Sequence, residues 1–593
     1  MTATMTASPQ PATDSTAPPA DRGGPAPQRR SSSVTRVFVA IALFPAVGIL
    51  GLLAFAGFLS LREDGLPSGA FTLENYVSLF SNPQLLEVIA NTIVYVASTA
   101  VGALVLGTCL ALVVERTDFG FARTINTLIL LRVLIPSFLT AMGWLFLLHP
   151  RIGAINIWFA DLFGLEEGPF NIVSLTGMGF IEGLSLSGLV FMMVSASLSN
   201  MDGSLEESAR TNGAGPFAVL MRVTIPLMRP AIISSVMFVS TIAVSALDVP
   251  LVIGLSNRLY VFSTYLYLAS SPATGVANYG APAAFSTVLI LVALGLSVWY
   301  TRTIRLGSKY QVLSGKGYRP VRARLSRSGR ALAAIFVLAY FLFAILLPLL
   351  MVVWASLLKY LQPPSIEALA FVTLDNYLEL NWASLLSALG NTLQLSILAP
   401  TIVVLISVAY AYIVVRSRLR SRYAFDFVAF VPQAVPNTIF AFSAALVVMH
   451  VLNGWLYGSI ALIIIVMALT QLPFGSRSVN AALLQIHPEL EESAAMSGGT
   501  AWQTLMRVTA ALLRPVLLYT WLWLMLLAMR DLTLPVMLAS PGSMTLSLAS
   551  WSLFTGGAMG AASAVTVLTI IAMSPVIIVF LLLSRKNEGS FGS

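Results

Sequence analysis

Apolar runs of 18 residues or more recur along almost the whole chain, and no other feature limits its fold so strongly. Each run is long enough to cross a ~30 Å hydrocarbon layer as a helix. They fall near 36–61, 86–114, 125–148, 179–198, 230–254 and 281–301, then near 331–354, 386–415, 425–449, 456–475, 515–538 and 560–584. A membrane β-barrel would show alternating segments of about ten residues instead. Only 10% of the residues are charged, against roughly a quarter in soluble domains. The expectation is an all-α membrane protein of about twelve transmembrane helices.

The placement of charge sets the topology. The net charge of +8 sits between the apolar runs, as expected when cytoplasmic loops hold the positive residues, so the lipid bilayer is the expected partner and nucleic acid is not. Arg302, Arg305, Lys309, Lys316, Arg319, Arg322, Arg324, Arg327 and Arg330 crowd one connection that has no acidic residue, and Arg416, Arg418, Arg420 and Arg422 crowd another. Outer connections are sparse, with Arg62, Arg258 and Lys359. Both termini are therefore expected in the cytoplasm. The expected divisions are a disordered tail at 1–33, a first half at 34–302, a basic linker at 303–330, a second half at 331–586 and a short tail at 587–593.

The two halves repeat one another. Phe71-Thr72-Leu73-Glu74-Asn75-Tyr76 matches Val372-Thr373-Leu374-Asp375-Asn376-Tyr377, Asn91-Thr92 matches Asn391-Thr392, and Ile135-Pro136 matches Val435-Pro436. The closest match lies in two inner connections. Glu206-Glu207-Ser208-Ala209, Gly213, Leu220-Met221-Arg222-Val223-Thr224 and Arg229-Pro230 reappear 285 residues later as Glu491-Glu492-Ser493-Ala494, Gly498, Leu505-Met506-Arg507-Val508-Thr509 and Arg514-Pro515. Such self-similarity is the signature of a duplicated unit. Acidic residues favour a helix amino end, Gly213 allows a tight break, and Pro226 and Pro230 are expected to end the segment and restart a helix. The result is a short helix outside the bilayer, shaped to enter a groove of a soluble partner.

At these residues the chain resembles the permease family of ATP-binding-cassette importers. Their hallmark is an inner loop of Glu-Ala-Ala, three residues, Gly, nine residues and Ile-x-Leu-Pro before the fifth helix of each half. Glu207-Ser208-Ala209, Gly213 and Val223-Thr224-Ile225-Pro226 fit it, as do Glu492-Ser493-Ala494, Gly498 and Val508-Thr509. The second copy departs at its end, where Ala510-Ala511 replace Leu-Pro. The resemblance implies the permease fold in a bacterial plasma membrane, and two ATPase subunits docked on the two loops. It also implies an extracytoplasmic solute-binding protein as a partner. Pro150 to Asn156, Pro169 to Ile172, Asp248-Val249-Pro250, Tyr260-Val261-Phe262 and Arg530 to Pro535 resemble fused ferric-iron permeases; thiamine, polyamine and phosphonate permeases share much of this architecture.

Asp248 and Asp531 are expected near the outer ends of the two fifth helices, each before a proline. They read either as lining the translocation path or as interfacial carboxylates paired with a neighbour such as Arg530; Arg132 reads as snorkelling or paired. His149, His450 and His487 are far apart and Cys109 is single, so no metal or cofactor is expected. No phosphate-cradling Gly-Lys-Ser/Thr loop and no catalytic constellation occurs, so ATP hydrolysis is expected on a separate partner. A secondary transporter of the major facilitator type also has two six-helix halves. Its Gly-x-x-x-Asp-Arg pattern is missing from Glu115-Arg116-Thr117-Asp118-Phe119-Gly120.

Overall fold

The computed structural model describes residues 32–199, 201, 203–270, 278–307 and 322–590. The expected amino-terminal tail up to residue 31, the linker centre at 308–321 with Lys309, Lys316 and Arg319, and residues 591–593 lie outside them. The expected carboxyl-terminal tail instead opens as part of the helix Met559–Ser590. Among the described residues the elements are helices, joined here and there by isolated bridges.

Among the described residues nine helices are long and apolar enough to cross a bilayer, and eleven spans result if each of two bent pairs counts as one. The helix Gly280–Gly307 covers the remaining expected run. The bent pairs correct the expectation of straight spans at 125–148 and 425–449. Ala122–Leu134 meets Ser137–Leu148 at 92°, and Arg422–Ala434 meets Asn437–His450 at 101°. The break is the repeated Ile135-Pro136 and Val435-Pro436. A residue before proline is pushed out of the helical region, and Ile135 and Val435 take ψ of 132° and 134°.

The fifth spans are corrected too. Helix runs from Pro216 to Ser245 and from Ala501 to Met529, so Pro226 and Pro230 do not restart it. A π-helical turn at Leu220–Thr224 leads straight into Ile225–Ser245. The same turn stands at Leu505–Thr509, ahead of Ala510-Ala511, so it does not require Pro226.

The repeated phrases make repeated hydrogen bonds. Asn75 Nδ2 donates to the carbonyls of Ser60 and Arg62 at 3.0 and 2.7 Å, and the Tyr76 and Ser60 hydroxyls pair at 2.7 Å. Asn376 Nδ2 donates to Ser356 and Leu358 at 3.0 and 2.8 Å, with Tyr377 and Ser356 pairing at 2.7 Å. Thr92 Oγ1 accepts the Phe262 N–H and Thr392 Oγ1 the Leu546 N–H, both at 2.9 Å. These side chains satisfy backbone groups where helices end, groups that lipid would leave unpaired at high cost.

The first helix of each half packs on the other half. Ser32–Ser60 lies against Trp382–Ala411 and Asn437–His450, and Tyr410 Oη donates to the Ala42 carbonyl at 2.9 Å. Arg327–Ser356 lies against Ser137–Leu148, where a Cβ on Gly143 would run into the Pro348 carbonyl oxygen. Tyr340 and Ser187 pair at 2.8 Å along the same seam.

Candidate functional site

Two regions collect the residues singled out from the sequence. The first is the pair of inner loops. In the first half, Ser204–Thr211 is a short helix, Gly213 turns the chain at φ +84°, and Pro216 starts the next helix. In the second, Pro488–Met496 is followed by Gly498, also at φ +84°, and by a capped helix start at Thr500. A positive φ favours glycine, which lacks a Cβ. The departure from Leu-Pro at Ala510-Ala511 thus leaves the second loop with the same course.

The first glutamate of each Glu-Glu pair faces inward. Glu206, 2% exposed, pairs with Arg116 Nε at 3.2 Å and accepts the Thr224 hydroxyl at 2.8 Å. Glu491 pairs with Arg416 Nε at 3.0 Å and accepts the Thr509 hydroxyl at 3.1 Å. Arg116 and Arg416 end the helices that carry the second expected span of each half. Each loop is thus tied to its own half by the same Arg–Glu–Thr arrangement. Their separation of 300 residues was the signal that could have marked the two arginines beforehand.

What the loops present outward differs from what they bury. Glu207, Ser208 and Gly213 are exposed, as are Glu492, Ser493 and Gly498; Ala209 and Ala494 are half-buried, and Pro226 lies within the long helix. Beside them stand exposed apolar residues in matching places: Leu205, Phe217 and Met221 in one loop, Leu490, Trp502 and Met506 in the other. Phe217 is 72% exposed and Trp502 50%. Sequence reasoning passed over this aromatic pair, although the two stand 285 residues apart like the rest of the motif.

The linker is fastened beside the first loop. Ala323 N–H donates to the Arg116 carbonyl at 2.8 Å and Asp118 N–H to the Ala323 carbonyl at 3.0 Å. The Leu325 N–H at 2.9 Å holds the half-buried Asp118 carboxyl below the usual aspartate range, and Arg330 at 3.0 Å adds to it.

The second region lies where the two halves meet inside the membrane. Asp248 follows the helix that ends at Ser245, and lies close to the amino end of Ser137–Leu148. Asp531 follows Met529 and accepts the Leu534 N–H at 3.0 Å at the start of Thr533–Leu538. The fold brings the two carboxylates close enough to interact. Arg530 reaches across the seam and donates to the carbonyls of Val133 and Ile135, at 2.6 and 3.1 Å, at the break of the first half. Arg132, 1% exposed, donates to Ser185 Oγ at 2.5 Å. It is buried and does not snorkel. Glu182, 2% exposed, completes the cluster. It is the only ionisable residue of the helix Leu175–Ser199, and that isolation is the signal by which the sequence marks it. Among the described residues no three of His, Cys, Asp and Glu converge to hold a metal ion.

Residues 404–588 match the family model described as "Binding-protein-dependent transport system inner membrane component". The putative ferric transport system permease protein FbpB 1 of Haemophilus influenzae is 25% identical over 472 residues, 78% of this chain and 71% of that protein. The ferric transport system permease protein FbpB of Actinobacillus pleuropneumoniae is 24% identical over 535 residues, 88% and 74% of the two chains. A bacterial ABC transporter that imports alginate aligns over 53% of this chain and 93% of its own, at 16% identity and a TM-score of 0.29.

Proposed function

Since the chain belongs to the binding-protein-dependent permeases of ATP-binding-cassette importers, in a fused two-half form, we propose that it carries ferric iron across the bacterial inner membrane. It is a multi-pass transport subunit and not an enzyme. The observation that carries the iron reading is similarity to ferric permeases over 78% and 88% of the chain, which takes in both halves.

In this reading the two inner loops dock two ATPase subunits, and a solute-binding protein delivers its load on the opposite face. The docking surface of each loop is its exposed part, Glu207 with Phe217 and Glu492 with Trp502. Glu206 and Glu491 hold the loops to the helices, so a push on a loop passes to Arg116 or Arg416 and into the spans. The matching anchors in both halves support this, because an ordinary solvated connection needs no such tie in either copy. Both termini and the 303–330 linker then lie in the cytoplasm between halves 34–302 and 331–586. Asp248 and Asp531 line the path.

Uptake by a deletion strain tests the substrate. Iron-limited growth and ferric uptake are expected to fail and to return on re-expression. Normal ferric uptake with failure on thiamine, a polyamine or a phosphonate removes iron and leaves the importer mechanism.

A further inference from the structure

One inner turn is built twice with opposite charge. At the spacing of 300 residues that pairs Arg116 with Arg416, Asp118 corresponds to Arg418, Gly120 to Arg420 and Ala122 to Arg422. In the first half the carboxylate is already engaged, since Asp118 accepts the Leu325 N–H at 2.9 Å and Arg330 at 3.0 Å. The basic linker covers that turn. In the second half the carboxylate is gone and three guanidiniums surround its place. A basic linker would be repelled there, and an anion would be drawn in.

The three arginines frame an open cleft. Arg418, Leu419, Arg420, Arg422 and Tyr423 line a cavity of about 470 Å³. Arg422 is held in position, because its guanidinium donates to the Tyr423 hydroxyl at 2.8 Å and lies 4.8 Å from the centre of that ring. Asp426, one helical turn further on, faces Arg477 at 3.8 Å instead. Among the described residues no carboxylate pairs with Arg418, Arg420 or Arg422. The forked donors of arginine match the oxygens of a phosphate.

The position of the cleft selects the kind of phosphate. It joins the span Trp382–Arg416 to the helix Arg422–Ala434, so it lies at the edge of the bilayer. It stands on the side of the docking loops, to which Arg416 is tied through Glu491 at 3.0 Å. Tyr423 and Phe427, one turn apart on the same helix, are both exposed, and tyrosine favours the level of the lipid headgroups. Basic pockets at this level, on the cytoplasmic side, suit acidic headgroups.

We propose that the headgroup phosphate of an anionic phospholipid occupies this cleft and braces the second turn as the linker braces the first. Its placement in the cytoplasmic leaflet rests on the topology in the functional reading above. Because the turn follows directly on Arg416, the lipid steadies the anchor of the second docking loop.

Native mass spectrometry of the full chain, titrated with phosphatidylglycerol in detergent, reads the affinity of the first lipid bound. Phosphatidylglycerol should bind at least about tenfold more tightly than phosphatidylcholine. Arg418→Gln, Arg420→Gln and Arg422→Gln together should weaken it roughly a hundredfold, at about fivefold for each basic residue near an anionic surface. Lysine at the same three positions should recover most of the loss and guards against a folding defect. Arg322→Gln, Arg324→Gln and Arg327→Gln remove the same charge from the linker and should change nothing. Wild-type affinity in the cleft variant, or an equal loss in the linker variant, overturns the proposal. Glycerol 1-phosphate, a soluble headgroup, should fail to displace the lipid at millimolar concentration; displacement at the lipid's own affinity would make this a site for soluble phosphate and overturn the lipid. The topology fails separately. On a Cys109→Ala background, Arg420→Cys should be labelled only from the cytoplasmic side, and labelling from outside overturns the leaflet with lipid retention untouched.

Discussion

At the scale of single residues, the glutamates of the inner loops divide their labour by one position. Glu206 and Glu491 are turned inward onto Arg116 and Arg416, while Glu207 faces outward. Removing one member of a buried ion pair strands the other, at a cost of about 3–5 kcal/mol. Arg416→Ala should therefore lower the melting temperature in detergent and loosen the loop, and Arg416→Ala with Glu491→Ala should recover much of the loss. Glu207→Lys should leave the melting temperature alone yet abolish co-purification of the ATPase. Retained co-purification in Glu207→Lys, with transport intact, would remove the docking role from that residue.

At the scale of elements, the contacts between helices decide which positions tolerate change. Gly143 has no room for a methyl group, because the Pro348 backbone stands in its place and backbone cannot swing aside. Gly143→Ala is expected to cost about 1–3 kcal/mol through overpacking, read as a lower melting temperature. Gly51→Ala has nothing within 4 Å and serves as the neutral control; equal effects would mean that the helix seam yields. The linker clip gives a second test. Asp118→Asn removes the charged acceptor of Leu325 and Arg330, so trypsin should cut faster at Arg322 and Arg324. The clip is fully present above the ordinary aspartate value of 3.8 and weakens only as pH falls through the lower value of the folded state.

At the scale of the whole molecule, each half completes the other. The first helix of one half lies on the helices of its partner, and Tyr410 and Tyr340 bond across the two seams. Two co-expressed fragments, cut between residues 312 and 313, should therefore co-purify and transport. Fragments that each insert but never associate would show that the covalent linker, and not the exchanged helices, holds the halves together.

Apolar run length settled the membrane class of this chain from sequence, because only helices or closed barrels satisfy a backbone in lipid. The repeat settled the duplication, and residues such as Asn75 and Asn376 were visible as a pair before their bonds were. Ile135-Pro136 and Val435-Pro436 were legible as a match but not as near-perpendicular breaks, since a proline bends a helix by an amount its surroundings choose. Arg116 and Glu206 lie 90 positions apart in the chain and nothing local announces their pairing. The charge cluster needed the tertiary structure most of all. Glu182, Asp248 and Asp531 are scattered single carboxylates in sequence; folding of the first half brings Glu182 within the field of Asp248, and packing of the second half against it adds Asp531.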